Sequence, residues 1–161
     1  MITNKYYKFK ILLPVVILLI LPACSAINRN IYIVRDKSLV DSNINVDLFG
    51  ADTKQKVLIN KASYSDYWVG RYISSTPLIK KMYFKNNGRN SLLLSDKNTI
   101  WDRWDKNNAE ALFIIVNTEE STVSSNWKKQ LLMERYSWFN FWSEKDLKII
   151  ISKKRITAKQ R

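Results

Sequence analysis

The chain has 161 residues, about one domain's length, with 46% hydrophobic residues, 12% aromatics and a formal charge of +13. That hydrophobic share demands a packed core and rules out a disordered basic tail. It holds no histidine and one cysteine, which excludes Ser-His-Asp and Cys-His relays, imidazole metal ligands, an internal disulfide and cysteine-cluster zinc sites.

The chain opens with Lys5, Lys8 and Lys10, and no acid occurs before Asp36. An apolar run from Ile11 to Leu21 follows, broken only by Pro14. As a helix it reaches about 16 Å, against a hydrocarbon core of about 30 Å. A run this short has the proportions of a secretory leader rather than a span. Leu21-Pro22-Ala23-Cys24 then resembles a bacterial lipobox. The resemblance implies cleavage before Cys24, with a diacylglycerol on its thiol and an acyl chain on its new amino group. Each buried CH₂ contributes about 0.8 kcal/mol, so two or three chains hold a protein in a bilayer. Ser25 stands where an Asp would resemble an inner-membrane retention signal, which implies the outer membrane and its periplasmic face.

The expected division is a leader at 1–23, a lipidated tether at 24–30, a β-sandwich domain at 31–156 and a basic tail at 157–161. The leader takes three lysines and no acids with it, so the remainder carries +10.

Periodicity beyond the tether favours strands. Ile31-Tyr32-Ile33-Val34 is a β-branched and aromatic run, and Ile44, Val46 and Leu48 alternate with Asn45 and Asp47, the period of a half-buried strand. Gly50-Ala51-Asp52-Thr53-Lys54 reads as a turn, with Val57-Leu58-Ile59 opening another strand. Ser65 to Ile73 reads as a short helix capped by Ser65. Leu78 to Phe84 and Ser91 to Leu94 flank Asn86-Asn87-Gly88, a hairpin signal, because Asn and Gly accept positive φ. Thr99-Ile100-Trp101 and the apolar run Ala111 to Val116 read as strands across a turn at 105–108. Trp127 to Tyr136 reads as a second short helix, and Leu147 to Ile151 as the last strand. Strands every 8–14 residues or so predict an all-β sandwich with one or two short helices.

The order of these features resembles the type VI secretion outer-membrane lipoproteins of the TssJ/SciN family. The residues that carry the likeness are the lipobox, the strand Ile44 to Leu48 with its turn at Gly50, and the aromatic segment Tyr67-Trp68. The apolar strand Leu112 to Val116, Glu119-Glu120, Trp127-Lys128 and the closing strand complete it. In the family the Trp is usually followed by Arg, where this chain has Lys128. The resemblance implies a transthyretin-like sandwich without enzymatic activity, part of a hetero-oligomeric membrane complex. Its loop between the first two strands, here Gly50, Ala51, Asp52, Thr53 and Lys54, would dock the periplasmic domain of an inner-membrane component. No cofactor is implied beyond the acyl groups on Cys24.

Two other readings use different residues. Trp101, Trp104, Trp127, Trp138 and Trp142, with Phe139 and Phe141, could form a sugar platform for peptidoglycan, although aromatics of about 150–250 Å² each more often fill a core. Asp102, Asp105 and Glu119-Glu120 could act as paired carboxylates in glycan hydrolysis. The lysine pairs at 80–81 and 128–129 and the basic run at 153–155 point to lipid headgroups or acidic protein surfaces rather than nucleic acid.

Overall fold

The computed structural model describes residues 30–68, 76–118, 127–132 and 146–160. Among these residues two four-stranded sheets pack face to face. Sheet A has the order β4-β1-β7-β8 and sheet B the order β3-β2-β5-β6. The strands are β1 (Ile31–Arg35), β2 (Ile44–Ala51), β3 (Ile79–Phe84), β4 (Ser91–Leu94), β5 (Ala111–Thr118), β6 (Lys128–Leu132), β7 (Leu147–Ile151) and β8 (Ile156–Gln160). Among the described residues three short α-helices accompany them: α1 (Thr53–Lys61), α2 (Tyr64–Trp68) and α3 (Ile100–Lys106). All strand pairs are antiparallel except β1 with β7. The expected all-β sandwich is the observed architecture.

The two sheets differ in what covers them, and the sequence pattern follows. In sheet A, burial alternates along β1 and β7. Ile31, Ile33, Leu147 and Ile149 point into the core, while Lys148 points out. In sheet B, β5 is buried on both sides, its inner face against sheet A and its outer face beneath α1 and α2. A strand covered twice reads as a continuous apolar run, as Ala111 to Val116 does.

Local readings of four segments are corrected by the tertiary structure. Val57-Leu58-Ile59 lies in α1, not in a strand. Asp52 caps that helix, its carboxylate accepting from the Gln55 backbone N–H at 2.8 Å while the Gln55 amide oxygen accepts from the Asp52 N–H at 3.0 Å. This reciprocal capping box outweighs three apolar residues, of which only Ile59 is buried. Thr99 to Trp101 runs into α3. Ile100, Trp101 and Trp104 share its buried side, and the two indoles meet edge to face at 5.0 Å.

The expected hairpin does not form either, because β3 pairs with β2 and β4 with β1. Asn87 does take a positive φ of 50°, but this turn carries the chain from one sheet to the other. Arg35, 2% exposed, draws that crossing in: its guanidinium donates to the carbonyls of Lys85 (2.8 Å), Gly88 (2.6 Å) and Ser42 (3.3 Å) and to the Asn90 side chain (2.9 Å). Finally, residues 128–132 form edge strand β6 rather than the start of a helix.

Residues 157–160 are not a tail. They continue β8 from Ile156 and pair with β7 from Ile151↔Ile156 to Leu147↔Gln160. The expected helix at 65–73 is seen as α2 over 64–68, with the remainder outside the described residues. The leader, Cys24, Glu119-Glu120 and the aromatic run 136–142 lie outside them as well.

Candidate docking surface

The described part of the segment joining β2 to β3 folds as α1 and α2 and carries the candidate surface. Gly50 faces the sandwich interior, where a Cβ would overlap the Trp104 indole. Trp104 is held there by donating from Nε1 to the Leu78 carbonyl at 2.7 Å. Gly50 and Ala51 are therefore buried in β2 and offer no surface to a partner, which corrects their place in the expected docking loop. Asp52 is half-buried as the helix cap, and Thr53 and Lys54 are exposed on the first turn. Thr53 donates to Glu110 at 2.8 Å, and Lys56 makes a partly exposed ion pair with the same carboxylate at 3.5 Å, a pair of small energetic worth.

Beyond them, α1 turns Val57 (46% exposed) and Leu58 (54% exposed) to solvent. Two adjacent exposed aliphatic residues flanked by Lys54 and Lys61 make a small apolar patch with a basic rim. Sequence periodicity places Val57 and Leu58 in a strand and does not reveal this patch. The signal that finds it is the Asp-x-x-Gln spacing from Asp52 to Gln55.

Trp127 and Lys128 fasten this helical segment to sheet B. Trp127 is buried and meets Tyr64 and Tyr67 at ring separations of 5.7 Å each. The Lys128 ammonium donates to the carbonyls of Ile59, Asn60 and Ala62 at 2.7, 2.9 and 3.0 Å, closing the C-terminus of α1 where the helix dipole is negative. Burial pushes its pKa down. Tyr64 donates to Asn117.

Tyr67 donates to the Asp47 carboxylate at 3.0 Å. Asp47 is 4% exposed. Burial raises its pKa, opposed by the Tyr67 hydrogen bond and by the charge of Lys81. Tyr67 itself is pushed upward by burial and by the neighbouring carboxylate.

The residues of the other readings are placed differently. Trp101, Trp104 and Trp127 are core residues, so none of the three presents a face to a sugar. Asp102 and Asp105 are exposed on α3. Among the described residues no group of His, Cys, Asp or Glu is arranged to hold a metal, and no helix is long and apolar enough to cross a membrane.

No protein-family model matches the chain, and no curated protein matches it. Solved structures do. The lipoprotein TssJ1 of the type VI secretion system of Pseudomonas aeruginosa superposes with a TM-score of 0.53 at 11% identity, over 82% of this chain and 94% of that one. The fold is that of a type VI secretion lipoprotein. Serratia marcescens Lip, described as a membrane-bound component of the same system, gives 0.51 at 9% identity over 83% and 96%. A chain of a type VI membrane complex gives 0.55 at 12% identity over 80% and 95%. At such identities the shared property is the arrangement of strands.

Proposed function

We propose that this chain is a divergent member of the TssJ/SciN lipoproteins, a lipid-anchored scaffold of a type VI-like secretion apparatus. In this reading Cys24 carries the acyl groups that hold it to the periplasmic face of the outer membrane. The sandwich is the rigid body, and the exposed part of the β2–β3 connection docks the periplasmic domain of an inner-membrane component. The observation that carries the reading is the fold shared with type VI lipoproteins over four fifths of the chain. The lipobox ending at Cys24 supports the anchor independently.

The scaffold has no chemistry of its own in this account. Its contact surface is Thr53 and Lys54 with Val57 and Leu58 beside them. Aliphatic residues at the centre of a basic rim suit a partner with an apolar contact and acidic surroundings.

Mass spectrometry of the native N-terminus tests the anchor, the expected species being Cys24 with a diacylglyceryl and an N-acyl group. A free thiol or a retained leader would remove it. Co-purification of an inner-membrane protein from crosslinked envelopes tests the docking. Leu58→Asp with Lys54→Glu should abolish that capture without changing thermal stability, and undiminished capture would exclude α1 as the docking surface.

A further inference from the structure

We propose that the outer face of sheet A, at the end where the chain enters β1, rests on anionic phospholipid headgroups, with Lys148 and Lys159 contacting lipid phosphates and Tyr32 and Leu93 seated at the interface. The inference rests on the acylated-anchor reading and specifies which side of the sandwich that anchor holds against the leaflet.

Strand register places these four side chains in one row. Leu93 pairs with Tyr32, Tyr32 with Lys148 and Lys148 with Lys159. Their neighbours Ile31, Ile33, Leu92, Leu94 and Ile149 point into the core, so the row points outward. At about 4.8 Å per strand it extends about 14 Å across the sheet. Leu93 is 52% exposed, and Lys148 and Lys159 are exposed. Among the described residues no helix covers this face, whereas α1 and α2 cover the outer face of sheet B.

Two further observations select an anionic surface as the occupant. Lys148 and Lys159 stand directly opposite each other on adjacent strands, an arrangement in which like charges repel. Neither makes a hydrogen bond or ion pair with the described residues. A phosphodiester placed over both would relieve that repulsion, and an aromatic ring with a leucine beside two lysines suits the headgroup level of a bilayer.

The second observation is the tether. Asn30, bonded to Asp146 through its backbone N–H (3.1 Å) and its side chain (3.2 Å), marks where the chain enters this end of sheet A. Six residue steps separate it from Cys24, at most about 20 Å fully extended. The row begins two residues past Asn30, within reach of the leaflet. The same orientation turns α1, with Val57 and Leu58, toward the periplasm.

The test uses the full acylated chain carrying Leu93→Cys, in which the acylated Cys24 leaves one free thiol for an environment-sensitive fluorophore. The protein is placed in vesicles of phosphatidylcholine alone, or with a minor fraction of phosphatidylglycerol, each containing a headgroup nitroxide quencher. Quenching at position 93 should rise in the anionic vesicles. Lys148→Glu with Lys159→Glu, or high salt, should remove the rise. At about fivefold per lysine the two together should favour the seated orientation by about 25-fold at low salt. A label at Leu58→Cys should be quenched in neither vesicle. Equal quenching at position 93 in both vesicles, or quenching that survives the double charge reversal, would overturn the inference. Flotation of the unlabelled chain separates the two claims: a chain that fails to float loses its anchor and this inference together, whereas one that floats with an unquenched position 93 loses the lipid-facing surface alone.

Discussion

The Lys128 ammonium sits 2.7 Å from the carbonyl oxygen of Ile59, joining an edge strand of sheet B to the C-terminus of helix α1 across 69 positions of sequence. Two more carbonyls of the same helix end accept from it. A cation in that position satisfies acceptors that a helix leaves unpaired and stabilises the negative end of its dipole. Lys128 is therefore a structural clamp on the proposed docking helix.

Replacing Lys128 by Met keeps the aliphatic stem and removes the clamp. We expect a loss of about 1–2 kcal/mol in denaturant unfolding, the range for charged hydrogen bonds in a partly solvated place. Faster amide exchange should be confined to residues 59–62. Unchanged exchange there would show that the C-terminal end of α1 does not depend on the Lys128 ammonium.

The buried Asp47 carboxylate couples stability to pH. Its folded pKa is raised, burial being the larger cause, so between the unfolded value of about 3.8 and the folded value the native state binds more protons than the unfolded one. Stability therefore falls as pH rises through that window, and the full cost of ionisation is present above it. Asp47→Asn keeps an acceptor for the Tyr67 hydroxyl and removes the charge. It should hold or increase the midpoint of urea unfolding at neutral pH and flatten the dependence on pH across the acidic range. Tyr67→Phe should do the reverse, because the carboxylate loses its hydrogen-bond donor. An Asp47→Asn chain less stable than the parent at neutral pH would contradict this account.

Gly50 and Trp104 compete for one volume. Gly50→Ala places a methyl group inside the indole, and overpacking of this kind costs about 1–3 kcal/mol. Trp104→Ala opens a cavity and costs about 3–5 kcal/mol. Because the two share a contact, the double variant should be more stable than the sum of the single losses predicts. Strict additivity in thermal unfolding would place the two residues apart.

Arg35 should tolerate no replacement well. Its planar fork reaches acceptors in two loops at once, so Arg35→Lys, with one ammonium, cannot satisfy them together. We expect a destabilisation of about 1–3 kcal/mol from the buried carbonyls left unpaired, with Arg35→Met at least as severe. Proteolysis at residues 85–90 should accelerate in both variants, and unchanged cleavage there would show that the crossing between sheets does not depend on the guanidinium.

How much of this was legible in the chain depends on the range of the interaction. The strands β1, β2, β5 and β7 are visible as alternating or continuous apolar runs, since burial on one face or two imprints itself on neighbouring residues. The core role of Trp101, Trp104 and Trp127 follows from their size. Helix α1 could have been read from Asp52 and Gln55, but three consecutive apolar residues mimic a strand when the capping pair is overlooked. The pairing of β3 with β2 and of β4 with β1 has no local signal, because an Asn-Asn-Gly turn serves a hairpin and a crossing between sheets equally well.

Composition and spacings of a few residues carry the positive charge, the absence of imidazole and disulfide chemistry, the lipobox pattern ending at Cys24 and the β-rich core. That Lys128 caps a helix, that Gly50 lies beneath Trp104 and that Lys148 faces Lys159 is set by the folded arrangement. These relationships arise where strand register and sheet packing bring together residues that the chain keeps far apart, and no local propensity encodes that meeting.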